Sequence, residues 1–137
     1  MLRLVALVFA AAYLAMTADA AQEKPNPNSW QIPAGAKTEV NPIPATAANV
    51  EQGKSLYKKH CQKCHGATGK GDGPDADPDE MPEDLTDPSR AAGNPDGVMF
   101  YKVWNGRKRP KMPAFKSELT KEEVWTVVNY VKALRGT

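Results

Sequence analysis

At 137 residues, 41% hydrophobic and 25% charged, with a formal net charge of +2, the chain has room for one small domain. The balance of charge gives nucleic-acid binding no support beyond one short basic cluster, and both cysteines fall within one five-residue stretch, leaving none for a disulfide or a thiolate metal site elsewhere.

Residues 1–20 read as a cleaved signal peptide: Arg3 gives a positive start, Leu4 to Met16 is an unbroken apolar run, and Ala18-Asp19-Ala20 is a small-x-small cleavage site. The run is shorter than the roughly 17–25 residues a membrane span needs, so no span is expected in the mature chain, with an uncleaved anchor as the alternative. Export follows, to a bacterial periplasm or an equivalent compartment. Residues 21–46 hold Pro25, Pro27, Pro33, Pro42 and Pro44 and read as an extended arm rather than helix or central strand. Trp30 and Ile32 either pin this arm to the domain or ride on a solvated tether.

The domain proper is expected over residues 47–137. A first helix should start at Ala47 behind Thr46, a good N-cap, with Val50, Gly53, Leu56 and Tyr57 on one face. It leads into Cys61-Gln62-Lys63-Cys64-His65, the C-x-x-C-H attachment signature of a c-type haem. Two thiols about one helical turn apart can form thioethers with two vinyl groups on one porphyrin edge, and the adjacent imidazole can meet the iron. A thioredoxin-like pair or half a zinc site are the other readings of C-x-x-C. The first expects a strand–turn–helix setting, and the second would crowd His60 and His65 with the cysteines into one turn. His60 itself is expected to be exposed and not a ligand.

From Gly66 to Gly93 the chain is rich in Gly, Pro and Asp and reads as loop, with eight acids and no Lys or Arg between Gly71 and Ser89. Asp75, Asp77 and Asp79 alternate as in a calcium loop, but Glu80 and Thr86 stand where an EF-hand needs Gly and Glu, so a solvated loop is expected. A middle helix should begin at the Asn94 cap with Pro95 in its first position, carry Val98, Met99, Tyr101, Val103 and Trp104, and stop at Asn105-Gly106. Arg107, Lys108, Arg109 and Lys111 follow, suited to a haem propionate, to an acidic partner or to solvent.

A thioether is the usual sixth ligand of an electron-transfer haem. Met112, followed by Pro113 on a loop that can cross to the opposite haem face, is the leading candidate; Met81 and Met99 remain alternatives. The last helix opens with a capping box, Thr120 to Glu123, stapled by Leu119 and Val124, and carries Val124, Val127, Val128, Val131 and Leu134 on one stripe. Tyr130 is expected to meet Tyr57 over Gly53. Three to four short helices make a thin all-α core, so a buried porphyrin should supply the rest and the apo form should fold poorly.

From about Val50 to Leu134 the chain resembles the small bacterial single-haem cytochromes c of the His/Met-ligated class. The likeness rests on Val50-Glu51-Gln52-Gly53-Lys54 through Tyr57, Cys61 to Gly66, Asp84-Leu85-Thr86-Asp87-Pro88, Trp104-Asn105-Gly106, Met112-Pro113-Ala114-Phe115 and Val127 to Leu134. It implies the cytochrome c fold around one covalently bound haem c, held by Cys61 and Cys64, with His65 and Met112 on the iron. It also implies that the Pro74 carbonyl holds the other nitrogen of His65. The proline-rich arm and the long acidic loop depart from the family pattern.

The expected function is one-electron transfer between redox protein partners by an exported, non-enzymatic, monomeric shuttle. The alternatives are a haem subunit bound to a dehydrogenase or oxidase, and an enzyme or gas sensor in which Met112 leaves the iron.

Overall fold

The computed structural model describes residues 29–136; the expected signal peptide and the first residues of the arm lie outside the described residues. Five helices follow in chain order: α1 Ala47–His60, α2 Gln62–His65, α3 Pro88–Ala91, α4 Asp96–Asn105 and α5 Lys121–Leu134. Among the described residues there is no strand, only an isolated bridge between Arg107 and Met112.

The two long helices start where their caps place them. The Thr46 hydroxyl accepts the Asn49 amide at 3.2 Å. The Thr120 hydroxyl accepts the Glu123 amide at 3.2 Å, and the Glu123 carboxylate answers at the Thr120 amide at 2.8 Å. Such reciprocal bonds satisfy amides that have no partner within the helix. Val124, Val127, Val128 and Val131 are buried along α5. Each such side chain is worth about 1.5–3 kcal/mol of burial, which makes this stripe the centre of the core.

Helix α1 crosses α5 at Gly53. A Cβ there would run into the Thr126 carbonyl and come within 2.9 Å of the Tyr130 Cβ, so a hydrogen is all the crossing admits. One turn on, the Tyr57 and Tyr130 rings pack tilted with centroids 5.2 Å apart, as the spacing predicted. Tyr57 is buried and donates its hydroxyl to the Gly66 carbonyl at 2.8 Å; burial pushes its pKa well above the phenol range.

Three expectations are corrected. The stretch from Gly66 to Gly93 is not all loop: α3 forms because Asp87 accepts the amide and hydroxyl of Ser89, at 2.8 and 2.7 Å, with Pro88 in the first turn. Asn94 does not cap α4, which starts at Asp96. Its amide group instead donates to the Arg90 carbonyl at 2.8 Å, while its oxygen accepts Lys102 Nζ at 2.6 Å. The arm is not simply extended either. Ala34–Lys37 makes a 3₁₀ turn whose Ala36 is buried.

That turn packs against α4, where Gly97 leaves room for the Ala36 carbonyl and donates its amide to Glu39 at 3.1 Å. Asn41 then donates to the Trp125 carbonyl and to Asn129, both at 2.9 Å, and Asn129 donates back to the Ile43 carbonyl at 3.0 Å. Over residues 29–46 the arm is thus part of the domain.

Candidate functional site

Helix α1 runs almost unbroken into α2, because the Cys61 amide donates to the Tyr57 carbonyl at 2.8 Å and the His65 amide to the Cys61 carbonyl at 3.0 Å. Cys61, Cys64 and His65 therefore share about one turn. Both thiols are free. Burial, with the Cys64 thiol nearby as a smaller cause, pushes the Cys61 pKa up to about 12, so it stays protonated. Gly66 ends the turn at φ 78°, in the left-handed region that favours glycine.

Burial lowers the His65 pKa below the ordinary 6.5, while the Glu83 carbonyl and carboxylate pull it back up. At neutral pH the ring is accordingly uncharged, the form that can lend a lone pair to a metal. Nδ1 of His65 is buried with no hydrogen-bond partner. The bond expected to the Pro74 carbonyl is not made. Pro74 is exposed, and the chain beside it is tied to the motif through the Gly73 amide, which donates to the Cys64 carbonyl at 3.1 Å.

The facing wall is built around Met112. Arg107 and Met112 exchange both main-chain hydrogen bonds at 2.9 Å, and the Phe115 amide donates to the Val103 carbonyl at 3.1 Å. Gly106 makes the entry possible at φ 60°, where a side chain would strike the Met112 carbonyl. Met112 packs with the buried Phe115, Leu119 and Val124.

Between these residues lies a cleft open to solvent, with about 140 Å³ of cavity volume. Cys61, Cys64, His65 and Met112 all border it, with Val103, Phe115, Val127, Val128 and Val131 as apolar lining. Met81 does not border it and is 50% exposed. Met99 does, but it is buried in the core and its sulfur receives the Arg135 guanidinium at 3.4 Å. His60 is corrected: its side chain is only 12% exposed, its Nδ1 lies 3.4 Å from Glu118, and its ring stands edge-on to Phe115.

The cleft also holds residues that periodicity did not single out as a group: Arg90, Lys102, Arg107 and Arg135, together with Trp30 from the arm. Arg90 is paired with Glu83 at 2.9 Å. Among the described residues no carboxylate lies within ion-pair distance of Lys102, Arg107 or Arg135. Burial lowers the Lys102 pKa, Glu83 opposes that, and the neighbouring Arg107, Arg90 and Arg135 lower it further.

A mostly apolar cleft with two free thiols, a neutral imidazole whose Nδ1 has no protein partner, a thioether and basic side chains without a close carboxylate fits a covalently attached haem. The comparisons agree. The family model for cytochrome c oxidase, cbb3-type, subunit III, matches residues 48–131. Among solved structures, a chain of the Kuenenia stuttgartiensis reducing HAO-like protein complex Kustc0457/Kustc0458 is 31% identical with a TM-score of 0.59, over 68% of this chain and 46% of that one. The KustC0563 c-type cytochrome is 30% identical with a TM-score of 0.52, over 61% of this chain and 94% of that one. This chain thus spans less than half the length of the first of these. No curated protein matches it.

Proposed function

The chain belongs to the cytochrome c family described as cytochrome c oxidase, cbb3-type, subunit III, a haem c protein of electron transfer, and from that premise we propose that it is an exported, non-enzymatic carrier of single electrons between redox proteins. The observation that carries this reading is the placement of His65 and Met112 on the same cleft as both thiols. Cys61 and Cys64 would hold haem c by thioethers, and His65 and Met112 would take the two axial positions. Bound haem supplies a one-electron Fe(II)/Fe(III) couple.

The chain's own residues set the conditions for that couple. Burial keeps His65 neutral and therefore available as a ligand. The reciprocal Arg107–Met112 bridge and the Phe115–Val103 bond fix the loop that would present the thioether. With His65 and Met112 both holding the haem, the protein's own side chains would occupy the places a substrate would need. The valine stripe of α5 and Phe115 keep water away from the cleft floor, which disfavours the more highly charged oxidised state and makes the potential fairly positive. Export is supported by the leader pattern over residues 1–20 and by the fact that bacteria attach haem c outside the cytoplasm. No helix among the described residues is long and apolar enough to cross a membrane.

A second reading, a haem subunit of a larger redox assembly, is favoured by the likeness to a chain of a protein complex. Absorption spectra of the purified holoprotein in both oxidation states test haem c and low-spin His/Met ligation together; a colourless matured protein would refute the reading. Native gel filtration separates the two forms, a small monomer marking the shuttle and co-elution with larger subunits the assembly.

A further inference from the structure

Lys102 and Arg107 bring positive charge to a cleft whose lining also holds Glu80, Glu83 and Asp84, yet neither cation has a carboxylate within ion-pair distance. Partly buried cations without a close ion-pair partner gain when an anion arrives beside them. Each is also held by something other than charge. Lys102 donates to Asn94 Oδ1 at 2.6 Å, and Arg107 Nε donates to the Pro110 carbonyl at 3.0 Å. Over both stands one ring: the Trp30 centroid lies 5.3 Å from Lys102 Nζ and 4.7 Å from the Arg107 guanidinium carbon.

Trp30 is not there by the chance fall of a loose tail. Only a few residues on, Ala36 is buried, Glu39 accepts the Gly97 amide, and Asn41 is bonded to α5. The arm is therefore fixed to α4 and α5 immediately behind the indole. Its ring borders the cleft alongside residues from α4 and from the ligand loop.

We propose that Trp30 closes the carboxylate edge of the haem site, its indole holding Lys102 and Arg107 toward the porphyrin's two carboxylates and keeping water from them. The arm is then part of the cofactor site rather than a tether. This rests on the haem c reading above. A flat aromatic face stabilises both cations without neutralising them, so their charge remains available to the anion. Shielding from water strengthens that attraction. It also disfavours the charged ferric state.

The test uses full-length, matured holoprotein with Trp30→Ala, Trp30→Phe, Lys102→Met, the double variant Trp30→Ala/Lys102→Met, and Val40→Ala as a control at an exposed arm position. The readout is the midpoint potential, with the sulfur-to-iron absorption band reporting that the ligand loop is intact. Trp30→Ala should shift the ferric-to-ferrous ratio at fixed electrode potential at least about threefold toward ferric, a drop of about 28 mV at about 59 mV per tenfold. Trp30→Phe, which keeps the ring, should recover most of the shift, and Val40→Ala should cause none. Lys102→Met should shift the potential less in the Trp30→Ala background than in the parent. An unchanged potential in Trp30→Ala with the band intact, or additive effects in the double variant, overturns the proposal. Parent protein without covalent haem would instead refute the underlying reading.

Discussion

Gly53 in α1 and Thr126 in α5 meet main chain to main chain: the Thr126 carbonyl occupies the space where a Cβ on residue 53 would stand. The crossing helps place the C-x-x-C-H run against the cleft floor, because α1 leads into Cys61 and α5 supplies Val127, Val128 and Val131.

Gly53→Ala pits two effects against each other. Alanine gains about 1 kcal/mol of helix propensity over glycine, and overpacking a tight contact costs about 1–3 kcal/mol. Here the obstacle is backbone on a packed helix and cannot swing aside. Because the obstacle is rigid, the cost sits at the upper end, and the expected outcome is a net loss of up to about 2 kcal/mol after the propensity gain, read as a lower denaturant midpoint of the holoprotein. A variant as stable as the parent would show that the helices part freely.

Met112→Ala should abolish the sulfur-to-iron absorption band while the loop keeps its shape, because its anchors at Met112 are main-chain bonds. Met81→Ala should leave the band unchanged, since Met81 is half exposed and away from the cleft. Met99→Ala should keep the band and lose about 2–5 kcal/mol of stability as a buried core truncation. Loss of the band in Met81→Ala or Met99→Ala would reassign the ligand.

Asn129 is buried and holds the arm through Asn41 and the Ile43 carbonyl. Asn129→Ala takes its partner from the Ile43 carbonyl and one of Asn41's bonds, while Asn41 keeps the Trp125 carbonyl, so the cost should be about 1 kcal/mol, the low end for a lost polar partner. Limited proteolysis of the folded holoprotein should then cut near residues 38–46 faster than in the parent. Equal cutting rates would mean that the arm is held elsewhere.

Acid should loosen the segment around α3. Hydrogen bonds from the Thr86 hydroxyl and amide hold Asp84 below its ordinary 3.8, and those from Ser89 do the same for Asp87. A carboxylate depressed in the folded state stabilises it above its unfolded pKa, and that contribution is lost as the pH falls through the folded value. Amide hydrogen exchange at Thr86 and Ser89 should therefore rise below about pH 4, and Asp87→Asn should blunt the rise at Ser89. Protection that is flat down to pH 2 would contradict the assignment.

Removing the cofactor should cost the domain its cooperative fold. Met112 and the valines of α5 line one cleft, and a domain this small has little other apolar surface to bury. A Cys61→Ala/Cys64→Ala chain should show reduced far-ultraviolet helical signal and a broad thermal transition. A sharp, parent-like transition would mean that the helices suffice.

Local chemistry was legible from the residues alone. The C-x-x-C-H run, the Thr46 cap, the Thr120–Glu123 box and the valine stripe are governed by neighbours within a turn or two, so sequence spacing determined them. The Gly53–Tyr57–Tyr130 crossing could also be read, because only a close helix partner explains a glycine at that point. Other features depended on residues far apart in the chain. Asp87-Pro88-Ser89 carried a start signal for α3 that acid-rich surroundings obscured. His60 finds Glu118, His65 Nδ1 does not meet the Pro74 carbonyl, and Trp30 reaches Lys102 and Arg107. Only tertiary structure decides such contacts, because a long-range contact depends on where packed helices carry each side chain, and no local spacing encodes that distance.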